Sequence, residues 1–370
     1  MVKCLKIPLK SAEQIRNKLD KYITYDYAPE KGRKYIYFAL NEIPNELPKE
    51  IKIVDKQLKK RIQKPKNIKE ILSKIMNEKE LDELVSSFEV LNDIAIIEIP
   101  NQLNKYEKQI AEAVRKMHGN IKTVLKKETG MEGEFRIRNV SVILGENKTI
   151  TTYKENGCIF KLDIAKMFYS TKLSTDRKRI TQLVKENTKT ENKTKKEKKT
   201  KKGNEKSDKN IENKQENILV PFAGYGPFAI TIAKYNPNCD IVGIELNSDA
   251  VEYFKENIKL NKLNNCKALL GDASKIVEEY PEYKQWADRI VMPIPKNALD
   301  FLPDVLKCAK KDTILHIYAF DEKEHPFERK IKIIETIAKK QGFNIKLLNK
   351  KIVRPYAPNV FQICLDIQLH

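Results

Sequence analysis

The chain is 370 residues long and carries 71 Lys and Arg against 51 Asp and Glu, a formal net charge of +20. That length holds two or three domains with a sizeable core, and so large a basic excess suits a phosphate backbone as partner. Six scattered cysteines with no Cys-x-x-Cys pair, and four histidines in no spaced set, speak against a metal site and a disulfide scaffold. No run is long and apolar enough to span a bilayer, and no signal-type apolar stretch opens the chain, so the expected compartment is the cytoplasm.

Residues 1–62 read as a small α+β module, with strands at Cys4–Pro8 and Tyr35–Leu40 and a helix at Ala12–Leu19. A second α+β module is expected over 63–180. Ile68–Leu84 carries apolar residues at helical spacing, Ala95–Ile99 reads as a strand, and Tyr106–Met117 as an amphipathic helix. Strands are then expected at Thr123–Leu125, Phe135–Arg138, Val140–Leu144 and Thr149–Lys154. In Phe135-Arg136-Ile137-Arg138 the arginines share one face of a strand, which either offers guanidinium groups to phosphate or a base or is simply solvated. Residues 186–217 are dominated by Lys, Asn, Glu and Thr, with Ile211 the one large apolar residue. Nothing there can bury a core, so the segment is expected to be a disordered insertion, either a lysine-rich RNA tether or a tolerated surface loop.

Residues 218–370 alternate strand and helix patterns, which predicts an α/β domain with a mostly parallel, doubly wound, Rossmann-like sheet. The run Ile218–Val220 enters the turn Pro221-Phe222-Ala223-Gly224-Tyr225-Gly226-Pro227, and a helical pattern leaves it at Phe228. Phe222, Ala223, Gly224 and Gly226 are the expected ligand cradle, because glycine lets backbone turn sharply against a bound group. The strand Ile241–Glu245 ends in a carboxylate that could accept ribose hydroxyls, and Asp272 ends the next strand where it could address an adenine edge. A fourth strand, Arg289–Met292, leads into Pro293-Ile294-Pro295-Lys296. The third glycine of a dinucleotide fingerprint and any Gly-x-x-x-x-Gly-Lys-Ser/Thr loop are missing, which favours S-adenosylmethionine over NAD or ATP. Helices around Pro303–Ala309 and Glu328–Lys340, and strands at Thr313–Tyr318, Asn344–Leu348 and Phe361–Ile367, complete the expected domain.

The run from Pro221 to Phe228 resembles the signature of the archaeal and eukaryotic tRNA guanine-N1 methyltransferases that act at position 37, beside the anticodon. Gly133–Arg138, Gly145–Thr149, Glu245–Asn247, Glu256–Lys262 and Lys351–Pro358 are similar to further blocks of that family, so the resemblance spans most of the chain. It implies methyl transfer from S-adenosylmethionine to guanine N1, in a cytoplasmic, monomeric, metal-free enzyme that grips the anticodon stem-loop and the outer corner of tRNA. It further implies that Arg138 stabilises charge on O6 and that Asp176, where the family has glutamate, accepts the N1 proton. Alternatively, Asp176 caps the following helix. Lys172 and Arg177 could then hold tRNA phosphates and Tyr169 could stack on a base, with ordinary surface placement the alternative for all three. Pro293, Pro295 and Lys296 line the expected target-base pocket, Lys296 being equally a solvated lysine, and Tyr356 belongs to the same substrate side.

Departures from the family pattern bear on the substrate. Ser170-Thr171-Lys172 replaces a serine-proline-arginine, Val220 stands near a family aspartate, and Pro293-Ile294-Pro295 replaces asparagine-leucine-proline. An asparagine amide both donates to and accepts from a base edge, whereas proline has neither group nor an N–H of its own. Relatives of this family methylate tricyclic wyosine-pathway bases or transfer an aminocarboxypropyl group. Such a base is therefore the alternative substrate, and a silent tRNA-binding homologue the alternative of another class.

Overall fold

The computed structural model describes residues 1–61, 65, 67–133, 137–186 and 216–370. They fall into two units, Met1–Leu81 and Asp82–His370. The Lys-rich insertion expected over 186–217 lies almost wholly outside the described residues, as does Arg136.

In the first unit, β1 (Val2–Pro8), β2 (Glu30–Lys31), β3 (Tyr35–Ala39) and β4 (Lys52–Lys56) form an antiparallel sheet in the order β2-β3-β1-β4. Leu5, Ile7 and Phe38 bury their side chains against Ile15 and Leu19 of α1 (Ala12–Leu19). The single helix expected over Ile68–Leu84 is two: α2 (Ile68–Leu72) and α3 (Glu78–Glu83). The reason is capping. Asn67 Oδ1 accepts the Glu70 N–H at 2.9 Å, and Asn77 and Glu80 exchange side-chain-to-backbone bonds of 3.0 Å each, so the second helix starts anew.

The second unit opens with β5 (Phe88–Leu91), β6 (Ile94–Ile97), α4 (Glu107–Met117), β7 (Thr123–Glu132) and β8 (Ile137–Leu144), whose strands pair in chain order. A hairpin of β9 (Ile150–Glu155) and β10 (Cys158–Asp163) follows, then helix α5 over 174–186. Next come β11 (Glu216–Pro221), α6 (Pro227–Tyr235), β12 (Cys239–Glu245), α7 (Ser248–Leu260), β13 (Cys266–Leu270), α8 (Ile276–Glu279) and β14 (Ala287–Met292). The chain closes with α9 (Ala298–Val305), β15 (Ala309–Glu322), α10 (Glu328–Lys340), β16 (Ile345–Ala357) and β17 (Val360–Leu369).

The seven-stranded sheet has the order β13-β12-β11-β14-β15-β17-β16. Its first five strands are parallel, and β17 runs antiparallel between β15 and β16. One face packs on apolar residues of α5, α6 and α7, the other on those of α8, α9 and α10, which makes the sheet doubly wound. The helix expected from Pro303 begins earlier, at Ala298, with Pro303 inside it. The strand expected over Asn344–Leu348 continues to Ala357 as the sheet's edge. All six cysteines are free thiols, and burial pushes Cys239 up to about 11 and Cys308 up to about 12. Among the described residues no helix is long and apolar enough to cross a membrane.

Candidate active site

Strand order reverses between β11 and β14, so a crevice opens beyond their carboxyl ends. Phe222 leaves β11 with φ of 60°, a conformation that bulky residues rarely adopt, and its ring meets Phe301 edge-on at 4.9 Å. Ala223 is buried. The two glycines that follow answer different needs. At Gly226 (φ 92°) a Cβ would lie 2.2 Å from the Phe254 ring, so packing demands glycine there. At Gly224 (φ 58°) a Cβ would meet nothing within 4 Å, which leaves open space beside the turn. Pro227 then starts α6 at a position that needs no N–H.

Glu245 ends β12 and closes on this turn. Its Oε2 accepts the Gly224 N–H at 2.8 Å and its Oε1 the Asn247 N–H at 2.9 Å. Burial pushes its carboxyl up, against the pull of those backbone N–H groups. Each oxygen can still accept a further hydrogen bond. Beyond β13, Asp272 Oδ1 accepts both the N–H and the hydroxyl of Ser274, each at 2.8 Å, which fixes its carboxylate. Pro293 and Pro295 follow β14 half-buried, and Lys296 is exposed.

Asp176 lies within α5 and is only 2% exposed. Its carboxylate is held by Arg179 Nε at 2.7 Å, by Lys351 Nζ at 2.9 Å and by the Tyr318 hydroxyl. It lies inside the helix, which starts at residue 174, and among the described residues no backbone N–H donates to it, so the alternative reading of Asp176 as a helix cap is corrected. Burial pushes its carboxyl up, but Arg179, Tyr318 and Lys351 outweigh burial and hold it below the usual range. The strand register places Tyr318, Cys364 and Lys351 one residue beyond the row of Met292, level with Pro293. Asp176 is thus held at the carboxyl edge of the sheet.

Two further expectations need correction. Arg177 was expected at a tRNA phosphate, but its guanidinium is 2% exposed and grips both oxygens of Glu155 at 2.6 Å, with Ser170 O at 3.0 Å. Tyr169 was expected to stack on a base, yet it is buried, its hydroxyl donates to Glu89 at 3.0 Å, and the Arg138 guanidinium lies 5.7 Å from its ring centre. Arg138 itself is half-buried and paired with Glu89 at 2.9 Å. Lys172 is exposed. Tyr356, 44% exposed, stacks on Phe320 at 4.0 Å.

Sequence reasoning missed the polar chain beneath α5. Arg179 bridges Asp176 to Asp366 at 2.6 Å, Asp366 meets His316 Nδ1 at 2.6 Å, and His316 Nε2 meets Arg289 at 2.6 Å. Burial pushes His316 down to about 4, so the ring is neutral, donating from Nδ1 and accepting at Nε2. Polar residues inside apolar strands, such as His316 in Ile314–Ile317, were the available signal. Also missed were the roles of Asn257 of α7 and of Asn261, which caps that helix's C-terminus. Their amides clamp the backbone of Lys161 and Ile159, at 2.6 to 2.9 Å, docking the β9–β10 hairpin on the helix. Among the described residues no cluster of His, Cys, Asp and Glu could hold a metal ion.

The TRM5/TYW2 methyltransferase domain matches residues 151–190 and 199–347, and the TYW2 N-terminal domain matches residues 68–149. The chain belongs to the TRM5/TYW2 methyltransferase family. Within that family it is 32% identical to the tRNA (guanine(37)-N(1))-methyltransferase Trm5b of Pyrococcus abyssi, over 100% of this chain and 99% of that protein. It is 31% identical to the tRNA (guanine(37)-N(1))/4-demethylwyosine(37)-methyltransferase Taw22 of Nanoarchaeum equitans, over 76% of this chain and 99% of that one. The solved complex of aTrm5 and tRNALeu matches with a TM-score of 0.73 at 30% identity, covering 99% of each chain. In this TRM5/TYW2 member Val220 is fully buried, whereas Pro293 stands half-buried just past the end of β14.

Proposed function

We propose that the chain transfers a methyl group to N1 of guanine at position 37 of tRNA. The observation that carries this reading is the end-to-end identity with a Pyrococcus enzyme of that activity. S-adenosylmethionine supplies the methyl group when bound. The turn fits such a group, because Gly224 leaves space where a side chain would stand and Glu245 keeps acceptor capacity beside it. Phe222, Ala223, Gly224 and Gly226 would hold the donor, Glu245 its ribose hydroxyls and Asp272 its adenine edge.

Guanine N1–H is a weak acid, so its proton must be removed and the charge that builds on O6 offset. Asp176 accepts the N1 proton, and its ionised state, favoured by Arg179 and Lys351, is the one an acceptor requires. Arg138 faces O6. Pro293, Pro295 and Lys296 border the target base, with Lys172 and Tyr356 at the surrounding RNA. We take the basic first unit and the second unit's β5–β8 sheet as gripping the anticodon stem-loop and outer corner, in a cytoplasmic monomer.

Pro293 favours a second reading, methylation of a tricyclic wyosine-pathway base, alone or besides guanine. The test is incubation of the purified protein with labelled S-adenosylmethionine and, in parallel, unmodified tRNA transcripts bearing guanine or adenine at position 37 and tRNA bearing the tricyclic base there. Label transferred only with guanine supports the first reading. Transfer only to tRNA carrying the tricyclic base supports the second, and no transfer to either overturns both.

A further inference from the structure

Glu89 lies on β5 and takes part in no step proposed so far. Its carboxylate is the point on which four contacts converge. Arg138 Nη1 lies 2.9 Å from one oxygen and 3.1 Å from the other, Lys127 Nζ at 3.2 Å and the Tyr169 hydroxyl at 3.0 Å. Burial would raise this carboxyl, but Arg138 and Lys127 hold it below the usual range, so it stays charged. Arg138 uses only Nη1 in this pairing. Its Nε and Nη2 have no partner among the described residues, and its side chain is 20% exposed. The far face of the guanidinium is backed by the Tyr169 ring at 5.7 Å. Tyr169 belongs to the same hydrophobic cluster as Ala223 and Tyr225 of the glycine turn. The two cations exceed the one carboxylate, so the cluster keeps a net positive charge while one edge of the arginine is anchored and the other is left to donate.

We propose that Glu89 is a positioning residue that aims Arg138, holding its guanidinium edge-out for the target base. This inference rests on the role given to Arg138 above. A long flexible arginine is costly to order at the moment of reaction, and a fixed carboxylate orders it beforehand. Lys127 and Tyr169 in turn fix Glu89. Glutamate to arginine is a pairing from strand to strand across the sheet, which no local sequence pattern announces.

The test is a double-mutant cycle on tRNA methylation at saturating S-adenosylmethionine, with Glu89→Ala, Glu89→Gln, Arg138→Ala and the Glu89→Ala/Arg138→Ala double variant. Glu89→Ala should lower kcat roughly 10- to 100-fold with KM for tRNA little changed. Glu89→Gln, which keeps an acceptor for Arg138 and Tyr169, should restore part of the rate. In the Arg138→Ala background, removing Glu89 should change kcat by no more than about twofold, because nothing remains to be aimed. Effects that multiply in the double variant, a loss confined to KM, or a rate that rises would overturn the proposal. A second readout does not depend on turnover. The Arg138 Nε–Hε resonance, assigned by its loss in Arg138→Lys, should be sharp and slowly exchanging in the wild type and averaged in Glu89→Ala. An unchanged resonance overturns the positioning role, whereas an ordered arginine in a wild-type protein that methylates no tRNA overturns only the reading of the reaction.

Discussion

The two halves of the catalytic sheet handle polar groups in opposite ways. Around the glycine turn, Glu245 and Asp272 are fixed through backbone N–H groups and one serine, with no cation in contact among the described residues. On the other side of the switch point, Asp176 and Arg179 of α5 and Asp366, His316 and Arg289 on β17, β15 and β14 are paired with one another. A carboxylate held by backbone donors keeps acceptor capacity for a neutral ligand such as a ribose. One held by arginine and lysine is tuned in charge and fixed in place. In the proposed reading the first side holds the methyl donor and the second sets the state of Asp176.

That contrast can be broken, beginning with the largest effect. Glu155→Ala strands the buried Arg177 guanidinium and should destabilise the fold by about 3–5 kcal/mol, measured by denaturant unfolding. Weaker tRNA binding at unchanged stability would return Arg177 to the RNA. Asp176→Asn should lower kcat about 100-fold, or about 2.7 kcal/mol, with tRNA affinity retained. An unchanged rate removes Asp176 as proton acceptor and leaves the polar half a purely structural layer. Glu245→Ala should weaken S-adenosylmethionine binding about tenfold, or about 1.4 kcal/mol, by calorimetry, while Asp176→Asn should not. Equal losses from both would erase the division between the halves.

The smallest effect concerns pH. Burial lowers the pKa of His316 in the folded protein to about 4 from the ordinary histidine value of about 6.5, so the unfolded chain binds more protons between those values. The stability it confers is complete above pH 6.5 and is lost as pH falls toward 4, about 1.4 kcal/mol of it by pH 5.5. Unfolding curves of the wild type and His316→Gln across that window should converge toward acid pH. Parallel curves would show that the histidine is not the group that titrates.

The glycine turn was legible because its constraints are local. A positive φ at Gly224 and Gly226, a proline at the start of α6 and a carboxylate ending the next strand all act within about 25 residues of chain. Arg177 was misread because it stands in a basic run, Arg177-Lys178-Arg179, that suits phosphate, and its partner lies 22 residues back on a strand that sequence reading did not end at Glu155. Tyr318 reaches Asp176 across 142 residues and His316 reaches Asp366 across 50, so the polar half exists only once the sheet is assembled. The break between α2 and α3 was, by contrast, written in Asn77-x-x-Glu80 and overridden by the apolar spacing around it.

The state of the cysteines has a practical consequence. Five of the six are buried, and burial raises the pKa of every one of them, so none offers the accessible thiolate that alkylating reagents attack. A single cysteine placed on an exposed position, such as Lys172 or Lys296, would therefore outcompete the native six for a maleimide dye. The native chain thus lends itself to low-background fluorescent labelling at such a position.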